Sequence, residues 1–549
     1  MTLDLAFILF LLTPLWPLLL AVAMALSMFR SGVQRLVPTA AVPALLTALW
    51  PSTELEVDLP WLLLGTGLSL DEVSRVFLLF SSILWILGSL SLPTAGRMPF
   101  SAWFLVTMTG NFALLMARDI PFFFLSYALM SLATFGLVIH ERSLAAQHAA
   151  KVYLLFAVFA EMLLLVALVM VAQNAETLDL EHVTERTPQH LLMLLLLIGF
   201  GIKAGVPLLH LALPPSYAVT PMAAVVPMAG ALLHLGLYGW LRFLPLGQIA
   251  VPLWSVIFVG VGAIAVFYGI AVGLTQREAK PLLAYSSISQ MGLMTLGLGI
   301  GLGSPEDWPL LQSVLLLFAL HHALAKGALF LGLGVKGRGR LGLWLPALAL
   351  AGLPFSGGAL AKGLLKAQVH LLPDAWSGLA IWVLLLGSLG TTLLMARFLY
   401  LARSNQTSCE RTGSVSWWLL LSSMLLLPWI WPLPVDRFSP FWSALWPVLL
   451  GAGLAWLVFR GLFARFLEKV PAIPPGDLLV LGESLLQRIL PKPHAGHPVH
   501  KQEHDAVLQP RATPRLIAEP ERLLGQWRLA IGLLLLIVIG IFALAAGAF

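Results

Sequence analysis

The stretch Leu192–Phe243 reads LMLLLLIGFGIKAGVPLLHLALPPSYAVTPMAAVVPMAGALLHLGLYGWLRF. It is almost wholly apolar, yet Lys203 sits well inside one hydrophobic run and His234 midway along the next. Pro207, Pro214 and Pro215 interrupt the helix just after the lysine. An ionisable group inside a membrane segment is costly and is by default a functional candidate facing a polar cavity. A proline break at membrane depth frees backbone groups that protein or water must satisfy. Lysine, break and histidine together point to a buried route for ions rather than a simple anchor.

The rest of the chain supplies the membrane around that stretch. Of 549 residues, 59% are hydrophobic and only 11% charged, where soluble chains carry about 25% charged. The chain therefore reads as an all-α polytopic protein whose solvent is the lipid bilayer. The net charge of +6 is accounted for by basic loops on one side of the membrane, and no nucleic-acid partner is expected. The single cysteine, Cys409, excludes an internal disulfide and any cysteine-based metal site. The run Leu5–Met28 lacks a basic flank before it and reads as a retained helix. No P-loop, dinucleotide fingerprint or cysteine cluster is present. The chain is expected to hold no cofactor and no metal and to have no redox active site of its own.

Spans of about 20 residues fall near 5–28, 36–50, 74–92, 100–117, 120–139 and 151–173. A broken seventh runs over 190–213, followed by 221–244, 251–275, 280–302 and 308–334. A twelfth, 341–371, is broken at Gly352–Gly358; spans at 376–401, 416–433, 440–459 and 526–547 complete about 14–16. Basic and acidic loops alternate along this order, which sends odd-numbered spans inward and leaves both termini outside. The two broken spans lie five apart. Five is odd, so the second five-helix unit crosses from the opposite side, giving two inverted repeats with working groups at the breaks. The expected divisions are 1–95, N-terminal helices; 96–248, first repeat; 249–402, second repeat; and 403–549, C-terminal helices. The last division includes amphipathic stretches and a histidine-containing loop (His494, His497, His500, His504), read as solvated rather than metal-binding.

Three strings carry a family resemblance: Lys203 with LLHLALPPSYAVTP and LLHLGLYGWLRF; QREAKPLLAYSSISQMGLM at Gln276–Met294; and LHHALAKGALFLGLG at Leu320–Gly334. Here the chain resembles the antiporter-like membrane subunits of respiratory complex I, Mrp-type cation/proton antiporters and group 4 hydrogenases, over about 100–400. The resemblance implies proton transfer through buried lysine, histidine and glutamate residues joined by water. Carried over to this chain, the pathway is Lys203, Glu161, His234, His322, Lys326 and Lys362. Two departures stand out. Ala128 occupies the place of the family's usual helix-five glutamate, making Glu161 the candidate partner of Lys203. After the break, Ala212, Pro215 and Tyr217 stand where the family has Trp, Asp and His.

The bland readings are weighed beside these. Lys203 read as snorkelling is disfavoured by its depth beside a break. Glu161 could serve only as a structural hydrogen bond, and His234 only as a packing contact. His322 and Lys326 are i, i+4 and share a helix face, whereas His321 points elsewhere and is the weaker candidate. Lys366 is placed nearer the interface than Lys362. Tyr285, Ser286, Ser287, Ser289 and Gln290 could hydrate a path or glue helices.

The expected function is a proton-translocating subunit of a larger bacterial inner-membrane complex, with Na⁺ left open beside the proton. Its partners would be hydrogenase-like, complex I-like or antiporter subunits. One rival is the membrane subunit of a two-component inorganic-carbon uptake system beside a large soluble zinc protein, a class the resemblance includes. Another is a structural scaffold.

Overall fold

The computed structural model describes residues 5–50, 55–63, 65–92, 98–184, 188–335, 337–404, 414–430, 440–459, 473–476, 478 and 480. The chain divides into two compact units, Met1–Asp58 with Thr66–Gly476 and Leu59–Gly65 with Asp477–Phe549. Of the second, the described part is chiefly a tight turn, where Leu62 N donates to Leu59 O at 3.0 Å. The histidine loop, the last span and nearly all of both amphipathic stretches lie outside the described residues.

The larger unit begins with α1 Leu5–Ala25, α2 Arg30–Leu36 and α3 Val42–Leu49. The acidic segment that follows pairs β1 Leu55–Leu59 with β2 Thr66–Leu70. Next come α4 Glu72–Ser89, α5 Met98–Leu115, α6 Ile120–Val138 and α7 Leu144–Ala175. The seventh span is α8 His190–Ala204 and α9 Leu213–Val219. The eighth is α10 Met222–Pro227 and α11 Leu235–Phe243, joined by a π-turn at Met228–Leu232. The second group is α12 Pro252–Thr275, α13 Ala279–Gly303, α14 Trp308–Gly332, the pair α15 Trp344–Ala351 and α16 Gly357–Ala367, and α17 Asp374–Ser404. α18 Ser414–Ile430 and α19 Pro440–Phe459 end the described bundle.

Every run placed before residue 460 is thus a helix or a pair of helices, and nine helical segments among the described residues are long and apolar enough to cross a membrane. α13 is as long as α14, at 25 residues each. It is not among those nine because hydroxyl and amide side chains lower its hydropathy.

Local chemistry sets the helix starts. Asp71, Asp119, Ser143 and Ser356 each cap a helix, accepting from Ser74 N, Phe122 N, Ala146 N and Ala359 N. The breaks are built alike in the two five-helix groups. α8 ends on Gly205 (φ 78°) and α15 on Gly352 (φ 101°), both left-handed. Three residues later Leu208 (φ 72°) and Phe355 (φ 63°) are left-handed again, a conformation that costs a non-glycine residue of order 1–3 kcal/mol. A strained turn repeated at matching places, in groups of five helices each, is the inverted repeat at residue level.

Close approach of backbones holds the bundle where lipid offers no hydrophobic drive. A Cβ on Gly262 would lie 2.6 Å from Gly292 O, and one on Gly269 2.6 Å from Tyr285 O, so α12 and α13 touch backbone to backbone. The 222–243 rod and α14 are the buried centre. At one end of the rod Arg242 clamps Asp71 through two 2.6 Å bonds and donates to Ser74 Oγ, which pairs with Tyr238 OH at 2.9 Å.

Candidate functional site

The buried ionisable groups form two clusters. The first lies where α6, α7 and α8 meet. Lys203, on the last turn of α8 before Gly205, is half-buried. Its Nζ donates to Ser131 Oγ and Tyr153 OH, both at 3.1 Å, and lies 5.6 Å from the Tyr127 ring centroid. Glu161, on α7, is 5% exposed and within electrostatic reach of Lys203 and Ser131. Its Oε1 has no hydrogen-bond partner among the described residues. The hydrogen bonds of Lys203 therefore go to a serine and a tyrosine, with the carboxylate held nearby. Ser131 is about one helical turn beyond Ala128 on the same helix, so α6 meets Lys203 with a hydroxyl. Neither Ser131 nor Tyr153 was singled out from the sequence, because a lone hydroxyl in an apolar run carries no signal of its own.

The second cluster joins the two repeats. His234 stands at the start of α11, two residues after the π-turn, and its Nδ1 contacts Gly230 O. A carbonyl only accepts, so His234 Nδ1 carries the hydrogen and Nε2 is bare. His322 Nδ1 lies 2.9 Å from that Nε2 and must be its donor. This leaves His322 Nε2 as the bare nitrogen, buried and without a hydrogen-bond partner among the described residues. The acceptors thus assign a single polarity to the pair, from Gly230 O through both rings to an open lone pair. A proton taken up at His322 Nε2 can be relayed by passing the Nδ1 proton to His234.

Two lysines stand near that open end. Lys326 and Lys362 are buried and within electrostatic reach of each other and of His322. Lys326 Nζ donates to Leu283 O at 3.0 Å, and Lys362 Nζ to Leu350 O at 2.7 Å. Leu350 lies two residues before Gly352, as Lys203 lies two before Gly205. Lys362, though on the far side of its break, thus sets its charge at the equivalent half-helix end. This is also the negative end of the α15 dipole, which favours a cation.

Between the clusters stands Tyr217. Its hydroxyl donates to Met228 O in the π-turn at 3.2 Å and its ring packs on Phe330 of α14. It is also within electrostatic reach of Tyr153. Polar partners line the α13 side: Lys280 Nζ donates to Thr220 O at 2.9 Å, and Gln290 Nε2 to Thr391 Oγ1 at 2.9 Å. Tyr285 and the buried His210 stack edge to face at 6.0 Å. His321, rated weaker from the sequence, is fully buried and faces the second break.

A potential metal-binding group of Asp179, Glu181 and His182 lies apart, in the loop after α7. Asp179 there is engaged by Arg118 at 3.4 Å and by Glu181 N at 3.0 Å.

Comparison with known proteins identifies the arrangement. Residues 117–340 match the family described as NADH:quinone oxidoreductase/Mrp antiporter, transmembrane. Hydrogenase-4 component B of Escherichia coli is 29% identical over 286 residues, 49% of this chain and 43% of that protein. NADH-ubiquinone oxidoreductase chain 4 of Prototheca wickerhamii is 28% identical over 284 residues, 50% of this chain and 53% of that one. The chain spans about half the length of these curated relatives. The same fold occurs in the Mrp complex from Dietzia sp., with a TM-score of 0.69 at 17% identity, over 91% of this chain and 64% of that one. The match over residues 117–340 and the shared fold make this an antiporter-like multi-pass membrane protein, similar to the NADH:quinone oxidoreductase/Mrp antiporter transmembrane family.

Proposed function

We propose that this chain is the proton-translocating subunit of a multi-subunit complex in a bacterial inner membrane. The observation that carries the reading is the directed pair His234–His322, with Lys326 and Lys362 within electrostatic reach of its His322 ring. Such a pair takes a proton at His322 Nε2 and passes the His322 Nδ1 proton to His234 Nε2, so that the charge moves to the His234 ring while its Nδ1–H stays on Gly230 O. Lys203 serves as the buried base of the first repeat and Glu161 as its charge partner. Glu161 sets the charge that faces Lys203, and this is how work done elsewhere in the complex reaches the pathway. Lys326 is the central relay and Lys362 the terminal group of the second repeat. Redox chemistry, where the complex performs any, belongs to other subunits, such as those of the hydrogenase and NADH-oxidoreductase relatives.

The test is proton uptake by vesicles holding the purified complex, with wild-type chain, Lys203→Ala or Lys326→Ala. Both variants should insert normally and lose coupling by on the order of 100-fold, the share a positioned acid–base group supplies. Normal coupling in both would overturn the relay. Repeating the assay with and without Na⁺ decides whether a metal cation moves in exchange.

A further inference from the structure

His321 is a buried imidazole that the pathway above does not use. It follows Leu320 on α14 and is 1% exposed. Its neighbour His322 points to His234, and adjacent residues on a helix do not share a face. His321 therefore faces another direction, towards the start of α16. A Cβ on Gly357 would lie 2.8 Å from His321 Nδ1, and one on Gly358 2.9 Å from His321 Nε2. The imidazole thus rests on a surface that only two consecutive glycines leave open. Pro428 of α18 closes the same spot, 2.8 Å from the Gly357 Cβ position.

Neither ring nitrogen of His321 makes a hydrogen bond of good geometry among the described residues, the Ala349 carbonyl being the backbone acceptor beside the ring. A buried polar atom left so is destabilising, a cost that a packing residue of the same shape avoids. Lys362 lies within electrostatic reach of His321, and both act on His322. His321, His322 and Lys362 thus lie within electrostatic reach of one another, with the His321 ring against the start of α16.

Resting on the proton-translocation reading, we propose that His321 is a proton-carrying group linking Lys362 to the His322–His234 pair. In this step a proton leaves the Lys362 ammonium and binds one His321 nitrogen. The opposite His321 nitrogen then releases its own proton towards His322 Nε2, directly or through water, and no other bond changes. The reverse order serves transport in the other direction. α14 thereby addresses both repeats from adjacent positions: His322 faces the first and His321 the second.

The experiment compares His321→Gln with His321→Glu in the full chain, reconstituted with its co-purifying subunits. The two side chains have nearly the same shape, but only glutamate exchanges a proton. The glutamine variant should lose proton flux by on the order of 100-fold while the glutamate variant retains most of it. Equal flux in the two, whether high or low, would assign His321 to packing and overturn the proposal. If the glutamine variant does not accumulate, the smaller His321→Asn is read in its place. Lys326→Ala in the same vesicles separates the two levels. Loss there beside full flux in His321→Gln overturns only the role of His321. No flux in the wild type overturns both.

Discussion

At the scale of single residues, the first cluster sets a carboxyl group near an amine that hydroxyls hold. α6 carries Ala128 and no acid at that position, and Glu161 of α7 lies within electrostatic reach of Lys203. Ser131 and Tyr153 hold the ammonium at 3.1 Å, so its position does not depend on the charge of Glu161. Glu161→Gln keeps the shape and removes the charge. It should reduce proton flux by at least about tenfold, approaching Lys203→Ala, with unchanged protein in the membrane. Unchanged flux would leave Lys203 regulated by its hydroxyl partners alone, and Ser131→Ala with Tyr153→Phe would then carry the larger loss. The lysines and histidines of this site were legible in the sequence because a charge in an apolar run is conspicuous. Ser131 and Tyr153 were not, since hydroxyls are tolerated throughout membrane helices and acquire a role only from what faces them across the bundle. His321 illustrates the same limit: its helical angle relative to His322 was readable, but the glycine pair that receives it lies on another helix.

At the scale of elements, the broken spans were legible because proline and glycine punctuate a helix wherever they occur. The π-turn at Met228–Leu232 was not, since it arises from packing and not from a residue signature. Its setting gives a prediction. A Cβ on Gly236, just beyond that turn, would lie 2.6 Å from both Ala204 N and Phe200 O. Gly236→Ala must therefore push α11 off the end of α8, where Lys203 sits. Destabilisation of about 1–3 kcal/mol is expected for such overpacking, read as a lower thermal midpoint in detergent together with lost flux. Gly260→Ala, with nothing within 4 Å of its Cβ, is the control and should change neither. A second element-scale prediction concerns the Asp71–Arg242 clamp between α4 and α11. Burial raises the Asp71 carboxyl, but the charge and hydrogen bonds of Arg242, with those of Ser74, outweigh it and hold it down at about 2. A depressed carboxylate stabilises fully above its ordinary range and loses that contribution as pH falls through about 2. Asp71→Asn retains a capping oxygen and removes the charge. Because the Asp71 side chain is 47% exposed, solvent screening limits the cost at neutral pH to about 1 kcal/mol or less. The difference in thermal midpoint from wild type should close as the pH is lowered towards the folded value. A gap independent of pH would assign the clamp to shape and hydrogen bonding instead of charge.

At the scale of the whole molecule, the proposed pathway lies deep within the bundle. The ionisable groups run through both repeats, and their centre, the 222–243 rod and α14, is sealed on all sides. The flanks are not: the most apolar stretch of α7 is only 39% buried, and Leu155, Phe159, Met162 and Val166 stand exposed along it. Lipid covers such a face as well as a protein does, so the face itself names no partner. The relatives argue further. Hydrogenase-4 component B is by name one component of an assembly, and the shared fold was found inside an Mrp complex. A gentle-detergent pull-down of the tagged chain, followed by mass spectrometry, should therefore recover stoichiometric membrane subunits, with or without an iron–sulfur arm. A large soluble zinc protein as sole companion would reassign the proton route to driving inorganic-carbon uptake. The relay variants would then be scored by growth that depends on CO₂ supply. Recovery of the chain alone, under detergents that keep its helices intact, would sink the subunit reading. Lys203 and Glu161 would then have to drive transport by themselves, and proton flux from vesicles holding the chain alone would have to match that from whole membranes.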